Sequence, residues 1–232
     1  VERMKIRWLG QSGYLLSDGE TEICLDPYLS DAVKRVAGRE RMVPQPVAPE
    51  ELKSDLVICT HNHLDHLDPD AIAQMDKRRL FCAPSDCEET LRRLGVENYL
   101  PFDCGCKTEA GAFQLEAVFA DHTVPAVGLV VRHAGQTLYF SGDTYYHRRL
   151  EELRAYRPDF MFVCINGKLG NMNAQEAVRL TAIIRPKVAI PNHYGMFASN
   201  TVDPSLYASE LENSFVMEFN RSYDLEEIRC SI

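Results

Sequence analysis

Residues 60–68, Thr-His-Asn-His-Leu-Asp-His-Leu-Asp, place three of the chain's seven histidines and two carboxylates directly after a short apolar run. A run that is apolar throughout predicts a strand buried on both faces. On an extended exit from that strand, His61 and His63 would project to the same side, where they could bind one metal ion together. If the chain then turns, Asp65 and His66 would face a second ion. The stretch therefore predicts a metal site at the end of a strand.

Three further candidate ligands each follow another predicted strand, and they are His122, Asp143 and His193. Strand ends are where open sheets place their sites, so these side chains are expected near the first group. Asp26 also follows a predicted strand. We expect its carboxylate to orient a ligand imidazole or the backbone rather than to bind metal.

The number of donor atoms suggests how these ligands are shared between ions. An imidazole nitrogen binds one ion, whereas the two oxygens of a carboxylate can bridge two. We expect the first ion to be held by His61, His63 and His122. We expect the second to be held by Asp65, His66 and His193, with Asp143 bridging both. Three ligands and a bridge leave an open position at each ion for a shared water, as in catalytic zinc sites.

The composition is that of an ordinary globular protein, with 232 residues of which 45% are hydrophobic, and it predicts one domain over residues 1–232. No stretch reaches the roughly 18 apolar residues of a membrane span, and the charged first residues contain no apolar signal core. A net charge of −9 argues against binding along a nucleic-acid backbone. We expect a cytoplasmic protein with eight reduced cysteines, a small-molecule substrate, no nucleic-acid partner and no membrane association. A homo-oligomer is left open.

The secondary-structure pattern begins as a strand meander and later alternates strands with helices, which predicts layered sheets with helices outside. Helix starts are predicted at Asp68-Pro69, at a Ser85/Glu88 capping box and at Asn173 with Glu176. A further helix is predicted over 148–156. His133 falls in a predicted hairpin turn, where we expect an exposed side chain.

The motif H-x-H-x-D-H at 61–66 resembles that of the metallo-β-lactamase fold superfamily, and the resemblance extends over nearly the whole chain. Later segments resemble the branch that includes L-ascorbate-6-phosphate lactonase; they are Ser141-Gly142-Asp143-Thr144, Ile165-Asn166-Gly167, Asn171-Met172-Asn173 and Pro191-Asn192-His193-Tyr194-Gly195. The resemblance implies an α/β fold, an αββα four-layer sandwich of two β-sheets between helices. It also implies two metal ions at one edge of the sandwich.

The predicted activity is a dinuclear, metal-dependent hydrolase. A metal-bridging hydroxide would attack a small, anionic ester, lactone or phosphoester, and Asp65 would orient that hydroxide as the catalytic residue. Nitrogen-rich ligation suits Zn²⁺, the lactonase resemblance makes Mn²⁺ a rival, and iron is a further option. Candidate substrate contacts are the side chains of His147, Arg148, Lys168, Asn171 and Tyr194.

Other functions stay open at this point. One is an iron-dependent thiol dioxygenase of the same fold, which bound iron and oxygen uptake with a thiol would reveal. Another is a phosphodiesterase or nuclease, which the net charge and the chain length disfavour. A binding protein without catalysis would be expected to lose ligands, and all seven candidates are present.

Overall fold

The computed structural model describes residues 4–232, and its backbone forms two β-sheets. The strands in chain order are β1 (Lys5–Gly10), β2 (Gly13–Ser17), β3 (Glu22–Leu25), β4 (Leu56–Ile58), β5 (Leu80–Ala83), β6 (Asn98–Pro101), β7 (Lys107–Ala110), β8 (Phe113–Phe119), β9 (Val127–His133), β10 (Gln136–Phe140), β11 (Phe160–Cys164), β12 (Val188–Asn192) and β13 (Ser222–Asp224). The first sheet has the order β13-β1-β2-β3-β4-β5-β6, and the second has the order β12-β11-β10-β9-β8-β7.

Helices flank these sheets. They are α1 (Ala32–Ala37), α2 (Pro69–Ile72), α3 (Glu88–Arg93), α4 (Ala174–Ile184), α5 (Ser205–Ala208) and α6 (Leu225–Arg229), with 3₁₀ turns at Pro49–Glu51, Ser85–Cys87 and Arg148–Tyr156. One apolar cluster joins α2 and α3 to the outer face of the first sheet. A second cluster fills the space between the sheets and reaches α4 on the far side. The four-layer αββα sandwich predicted from the sequence is therefore confirmed.

Strand β4 shows how the sequence produces these layers. Its side chains alternate between the two clusters, because successive residues of a strand point to opposite faces. Leu56 and Ile58 enter the core between the sheets, and Val57 enters the outer cluster. Across the core, the ring of Tyr14 in β2 lies 5.2 Å from the ring of Phe140, a contact that joins the two sheets.

Two of the three predicted helix starts are confirmed. Asp68 caps α2 by accepting hydrogen bonds from the backbone N–H groups of Asp70 and Ala71. Asn173 and Glu176 form a reciprocal capping box at the start of α4. The Ser85 capping box is wrong, because the Ser85 hydroxyl donates to the carboxylate of Asp103 and α3 begins only at Glu88, after a 3₁₀ turn.

The other secondary-structure predictions hold in part. The predicted helix over 148–156 is a 3₁₀ helix. His133 is not an exposed turn residue, since it ends β9 and is buried at 7% exposure against Asp18. The short strands β5, β6, β7 and β13 went unpredicted.

The sheet topology brings several strand ends to one edge. Strands β3 and β4 are parallel, and so are β10, β11 and β12, so their carboxyl ends share a direction within each sheet. Backbone hydrogen bonds join the two sheets there, from Val127 N to Thr60 O at 3.1 Å and from His193 N to Gln11 O at 3.0 Å. The loops that carry the candidate ligands leave from this edge.

Within residues 4–232, no helix combines the length and the apolar character needed to span a bilayer. The charged residues 1–3, considered above for a signal core, lie outside the described part of the chain. One domain over residues 1–232 stays a prediction.

Candidate metal centre

The turn after β4 places four candidate ligands in a short space. The backbone N–H of His66 and that of Leu67 both donate to the carbonyl of His63, at 3.0 and 2.8 Å, which closes a tight turn. Leu67 is buried at 1% exposure and anchors the turn in the outer cluster. Asp68 then holds the exit by capping α2 and by accepting from Leu29 N at 2.9 Å. A rigid turn of this kind can fix ligand side chains in position.

The first group of ligands consists of three imidazoles. Nδ1 of His63 lies 3.0 Å from Nε2 of His61 and 3.1 Å from Nε2 of His122. The three ring nitrogens therefore converge on one point, although His122 comes from a different sheet. This is the set expected for the first ion.

The second group mixes imidazoles with a carboxylate. Oδ2 of Asp65 lies 3.7 Å from Nε2 of His66 and 3.6 Å from Nε2 of His193. These three residues, the set expected for the second ion, offer donor atoms within 4.8 Å of one another. Their common space can hold one cation.

Asp143 lies between the two groups. Its Oδ2 is 3.3 Å from Nε2 of His66 and 3.1 Å from Nε2 of His193 on one side, and 3.8 Å from Nε2 of His122 on the other. The structure thus brings all seven sequence-predicted ligands together, with the carboxylate in the place that a bridging ligand requires.

Hydrogen bonds behind the ligands fix which ring nitrogens carry protons. Nδ1 of His122 faces the carbonyl of Gly170 at 3.0 Å, so this nitrogen must donate. The Thr60 hydroxyl donates to Asp26 Oδ2 at 2.7 Å, and its oxygen can then accept from Nδ1 of His61 at 3.1 Å. In a neutral imidazole the other nitrogen keeps a lone pair. In both histidines that lone pair is on Nε2, which faces the cluster.

Asp26 orients ligands as the sequence predicted. Its Oδ2 accepts from Nδ1 of His66 at 2.8 Å, and its Oδ1 accepts from the backbone N–H of Thr60 at 2.7 Å. The carboxylate is fully buried, and its residue adopts a left-handed backbone with a φ of 44°. This conformation, which is uncommon for a residue other than glycine, points Asp26 across the loop at the imidazole.

Burial and neighbouring charges shift the histidine pKa values in opposite directions in the two groups. Burial lowers the pKa of His61, His63 and His122, which keeps the first group neutral. Burial also opposes the charged form of His66, but the neighbouring carboxylates of Asp143, Asp26 and Asp65 raise its pKa well above the usual value. Asp143 is held in the carboxylate form, because the charges of His193 and His66 outweigh its burial and lower its pKa.

The donor set fits divalent metal ions. Nε2 of His66 and Oδ1 of Asp143 are buried and form no hydrogen bond within the described residues. Such atoms are costly to bury unless something else satisfies them. Ring nitrogens with inward lone pairs and nearby carboxylates are the ligands preferred by Zn²⁺, Mn²⁺ and Fe²⁺. The residues present therefore fit the divalent metal ions that the sequence predicted.

The cluster lies at the buried end of a cavity of about 360 Å³. Of the five predicted substrate contacts, only Asn171 lines it. Lys168 instead donates to Ser199 O at 3.2 Å. His147 accepts from Arg149 N at 3.0 Å and Arg148 is exposed, both at the start of a 3₁₀ helix. Tyr194 packs against Trp8 and lines a separate cavity. These four side chains therefore lie outside the cavity, which their sequence positions did not reveal.

Three residues with a place in the site were missed by the sequence. Gln11 donates to Asp65 Oδ2 at 2.8 Å, and Gly170 supplies the carbonyl behind His122. Arg39 lines the cavity from the segment after α1. Gly10-Gln11-Ser12-Gly13 carried a turn pattern, but nothing in the residues themselves linked these positions to the ligands.

The family model described as "Beta-lactamase superfamily domain" matches residues 21–194, a span that contains every candidate ligand. The chain belongs to the metallo-β-lactamase superfamily. A relative within it, named a UPF0173 metal-dependent hydrolase, from Archaeoglobus fulgidus, is 31% identical over 217 residues, which cover 87% of each chain.

Two solved structures share the superfamily fold with this chain. Igni18, a metallo hydrolase from Ignicoccus hospitalis, superimposes with a TM-score of 0.77 at 21% identity, covering 95% of this chain and 97% of that one. The isothiocyanate hydrolase from Delia radicum gut bacteria gives 0.79 at 19% identity, covering 95% and 98%. These likenesses establish the fold, and the superfamily predicted from the sequence is confirmed by the family match.

Proposed function

We propose that this chain, a metal-dependent hydrolase of the metallo-β-lactamase superfamily, uses two divalent ions to cleave an ester, lactone or phosphoester bond in a small molecule. The observation that carries this proposal is the convergence of seven donor side chains, in two groups joined by Asp143, at the buried end of one cavity. The lactone option rests on the sequence resemblance to the lactonase branch.

Two bound ions would supply Lewis acidity and a water that ionises near neutral pH. The residues of this chain would supply positioning. Asp65 is the more accessible of the two carboxylates, with 17% of its side chain exposed against 6% for Asp143. It can accept a hydrogen bond from the attacking water, while Gln11 Nε2 holds its Oδ2 at 2.8 Å. We therefore assign the orientation of the water to Asp65.

The size of the cavity supports a small substrate. A volume of about 360 Å³ lies in the range of sites that hold small molecules. The net charge of −9 would also repel a polyanion such as RNA. We propose a cytoplasmic location, since the eight cysteines are all free thiols, as is usual in a reducing compartment.

The test combines metal analysis with a substrate panel. Purified protein is loaded with Zn²⁺, Mn²⁺ or Fe²⁺ and assayed on a carboxylic ester, a lactone, a phosphomonoester, a phosphodiester and RNA. We expect about two ions per chain and hydrolysis of at least one small substrate that a chelator abolishes and added metal restores. Oxygen uptake with a thiol and no hydrolysis with any metal would overturn the proposal in favour of a dioxygenase.

A matched pair of variants tests the division into two ions. His193→Ala should lower occupancy of the second ion more than the first, and His122→Ala should do the reverse, because the two imidazoles belong to different groups. Crystals soaked in limiting metal would show which anomalous peak fades. Equal loss of both peaks in both variants would mean that the assignment of ligands to ions is wrong.

A further inference from the structure

Arg39 is the only arginine or lysine among the described residues that line the catalytic cavity. It follows the C-terminal glycine of α1, and its side chain is half-buried. Within residues 4–232 it forms no hydrogen bond and no ion pair. Its guanidinium offers five N–H donors, and no group in the described residues accepts from them.

The basic side chains near Arg39 in sequence are all engaged. Lys34 pairs with Glu40 at 2.8 Å, so the acidic residue next to Arg39 is occupied. Arg35 makes two hydrogen bonds to Asp70, and Arg41 donates to the backbone carbonyls of Tyr28 and Ser30. Of the basic residues in this segment, Arg39 alone has no partner among the described residues. Its guanidinium is therefore free to bind a ligand.

The rest of the cavity wall defines what such a ligand would look like. Five apolar side chains contribute to the lining, and they are Val33, Ala37, Leu64, Leu169 and Phe197. Asp143 and His193 are buried at 4% and 2% exposure, whereas Leu169 is 56% exposed, so the metal centre is at the inner end and the apolar wall extends to the mouth. A substrate that fits would have an apolar body and one charged group.

We propose that Arg39 binds an anionic oxygen group of the substrate, a carboxylate or a phosphate, while the bond to be cleaved lies at the metal end of the cavity. The planar guanidinium matches both groups through two parallel N–H···O bonds, and such charge-assisted bonds are among the strongest in proteins. This inference rests on the proposed function for the reaction and adds the residue that selects the substrate. Arg39 is thus a specificity-determining residue.

Binding of simple anions tests this role without requiring turnover. Inorganic phosphate and glutarate are titrated by calorimetry into metal-loaded parent protein and into Arg39→Gln, Arg39→Lys and Arg148→Gln. We expect Arg39→Gln to weaken binding of at least one anion about 10- to 100-fold, the range for loss of a charge-assisted pair. The anion whose affinity falls more identifies the substrate group that Arg39 binds. The affinity of Arg39→Lys should lie between those of the parent and Arg39→Gln, because lysine keeps the charge but lacks the two parallel N–H donors of the guanidinium.

The control Arg148→Gln removes the same charge from an exposed position outside the cavity, and we expect parent affinity. Unchanged binding of both anions in Arg39→Gln would overturn the inference, as would an equal loss in Arg148→Gln, which would indicate a general effect of net charge.

A kinetic comparison connects this site to catalysis. p-Nitrophenyl acetate and mono-p-nitrophenyl glutarate share a leaving group, but only the second carries a free carboxylate. We expect the parent to have a higher kcat/KM for the charged ester than for the acetate. In Arg39→Gln the ratio of these two kcat/KM values, the preference ratio, should fall at least about tenfold. If no substrate of the panel described above is hydrolysed with any metal but Arg39→Gln still weakens anion binding, the proposed function fails and the anion site stands. A preference ratio unchanged in Arg39→Gln would overturn the specificity role.

Discussion

Two buried pairs of a histidine and a carboxylate lie at opposite edges of the sandwich. At the metal edge, Nδ1 of His66 lies 2.8 Å from Asp26 Oδ2, and at the other edge Nε2 of His133 lies 2.9 Å from Asp18 Oδ2. The two contacts are nearly identical in length, and both histidines follow or end a strand. What differs is the surroundings of the second ring nitrogen.

At the metal edge, the remaining nitrogen of His66 faces Asp143, Asp65 and another imidazole. At the far edge, the ring of His133 stacks on Phe113 with centroids 4.3 Å apart. The groups of potential metal ligands found among residues 4–232 do not include His133. A buried histidine–carboxylate pair is therefore not enough for a metal site, which needs several donors that converge on one point.

The largest effect is expected from Asp143→Asn, which tests this difference at the metal edge. A neutral amide is a poor bridge between two cations, so we expect the affinity for both ions to fall by about 100-fold or more, beyond the usual effect of a residue behind a ligand. Metal titration with a competing chelator measures both sites. The same change at the far edge, Asp18→Asn, is the control and should keep both ions at parent affinity. Two fully retained ions in Asp143→Asn would remove this residue from the bridging role.

A smaller effect is expected from Asp26→Asn, which alters the pair at the metal edge without removing a ligand. Asn can still accept one hydrogen bond, but the charge that orients His66 is lost. We expect about a 10- to 100-fold loss of affinity, mainly for the second ion. Equal affinities in Asp26→Asn and the parent would show that the two His–carboxylate pairs have the same structural role.

Gly170→Ala tests how tightly the backbone supports the first group. An added Cβ would lie 2.6 Å from Nδ1 of His122, and the φ of +98° already disfavours alanine. We expect the first ion to bind about tenfold more weakly, as for other losses of support behind a ligand. Gly105→Ala is a matched control, since its φ is +94° and its Cβ would meet nothing within 4 Å. A similar loss of metal in both variants would mean that backbone strain, not contact with His122, is responsible.

The smallest effect is expected at the far edge, where Asp18→Asn should lower the free energy of unfolding by about 1 kcal/mol at pH 7, the value typical of one hydrogen bond. Burial opposes the carboxylate, but the N–H groups of Thr21 and Glu20 and the imidazole of His133 lower the pKa of Asp18. Because the pKa of Asp18 is lower in the folded than in the unfolded chain, its carboxylate stabilises the fold above the usual carboxyl pKa of about 3.9. This stabilisation is lost as the pH falls through the lowered pKa of the folded state.

Urea unfolding of the parent and Asp18→Asn at several pH values measures that contribution. The difference between them should shrink below about pH 4, as the carboxylate of Asp18 is protonated. A difference that grows on acidification would contradict the assigned sign.

How much could be predicted from the sequence differs between the two edges. The spacing of His61, His63, Asp65 and His66 has few structural explanations other than metal binding, so these candidate ligands could be named before the fold was known. His133 had no such neighbours in sequence. Its partner Asp18 is 115 residues away, and only the pairing of the two sheets brings them together. An isolated histidine therefore led to a wrong prediction of exposure.

The sequence by itself predicted the superfamily and its sandwich fold, through the resemblance of one motif, and a set of seven candidate ligands, because the motif and the ligand spacing are local features of the chain. Tertiary structure alone decided which polar residues face the cavity. Arg39 lines it and Gln11 donates to Asp65 from behind, while Lys168 and Arg148 lie outside it. The reason is physical: the direction of a loop side chain is set by hydrogen bonds and packing across distant segments, and the residue types along a loop do not encode those contacts.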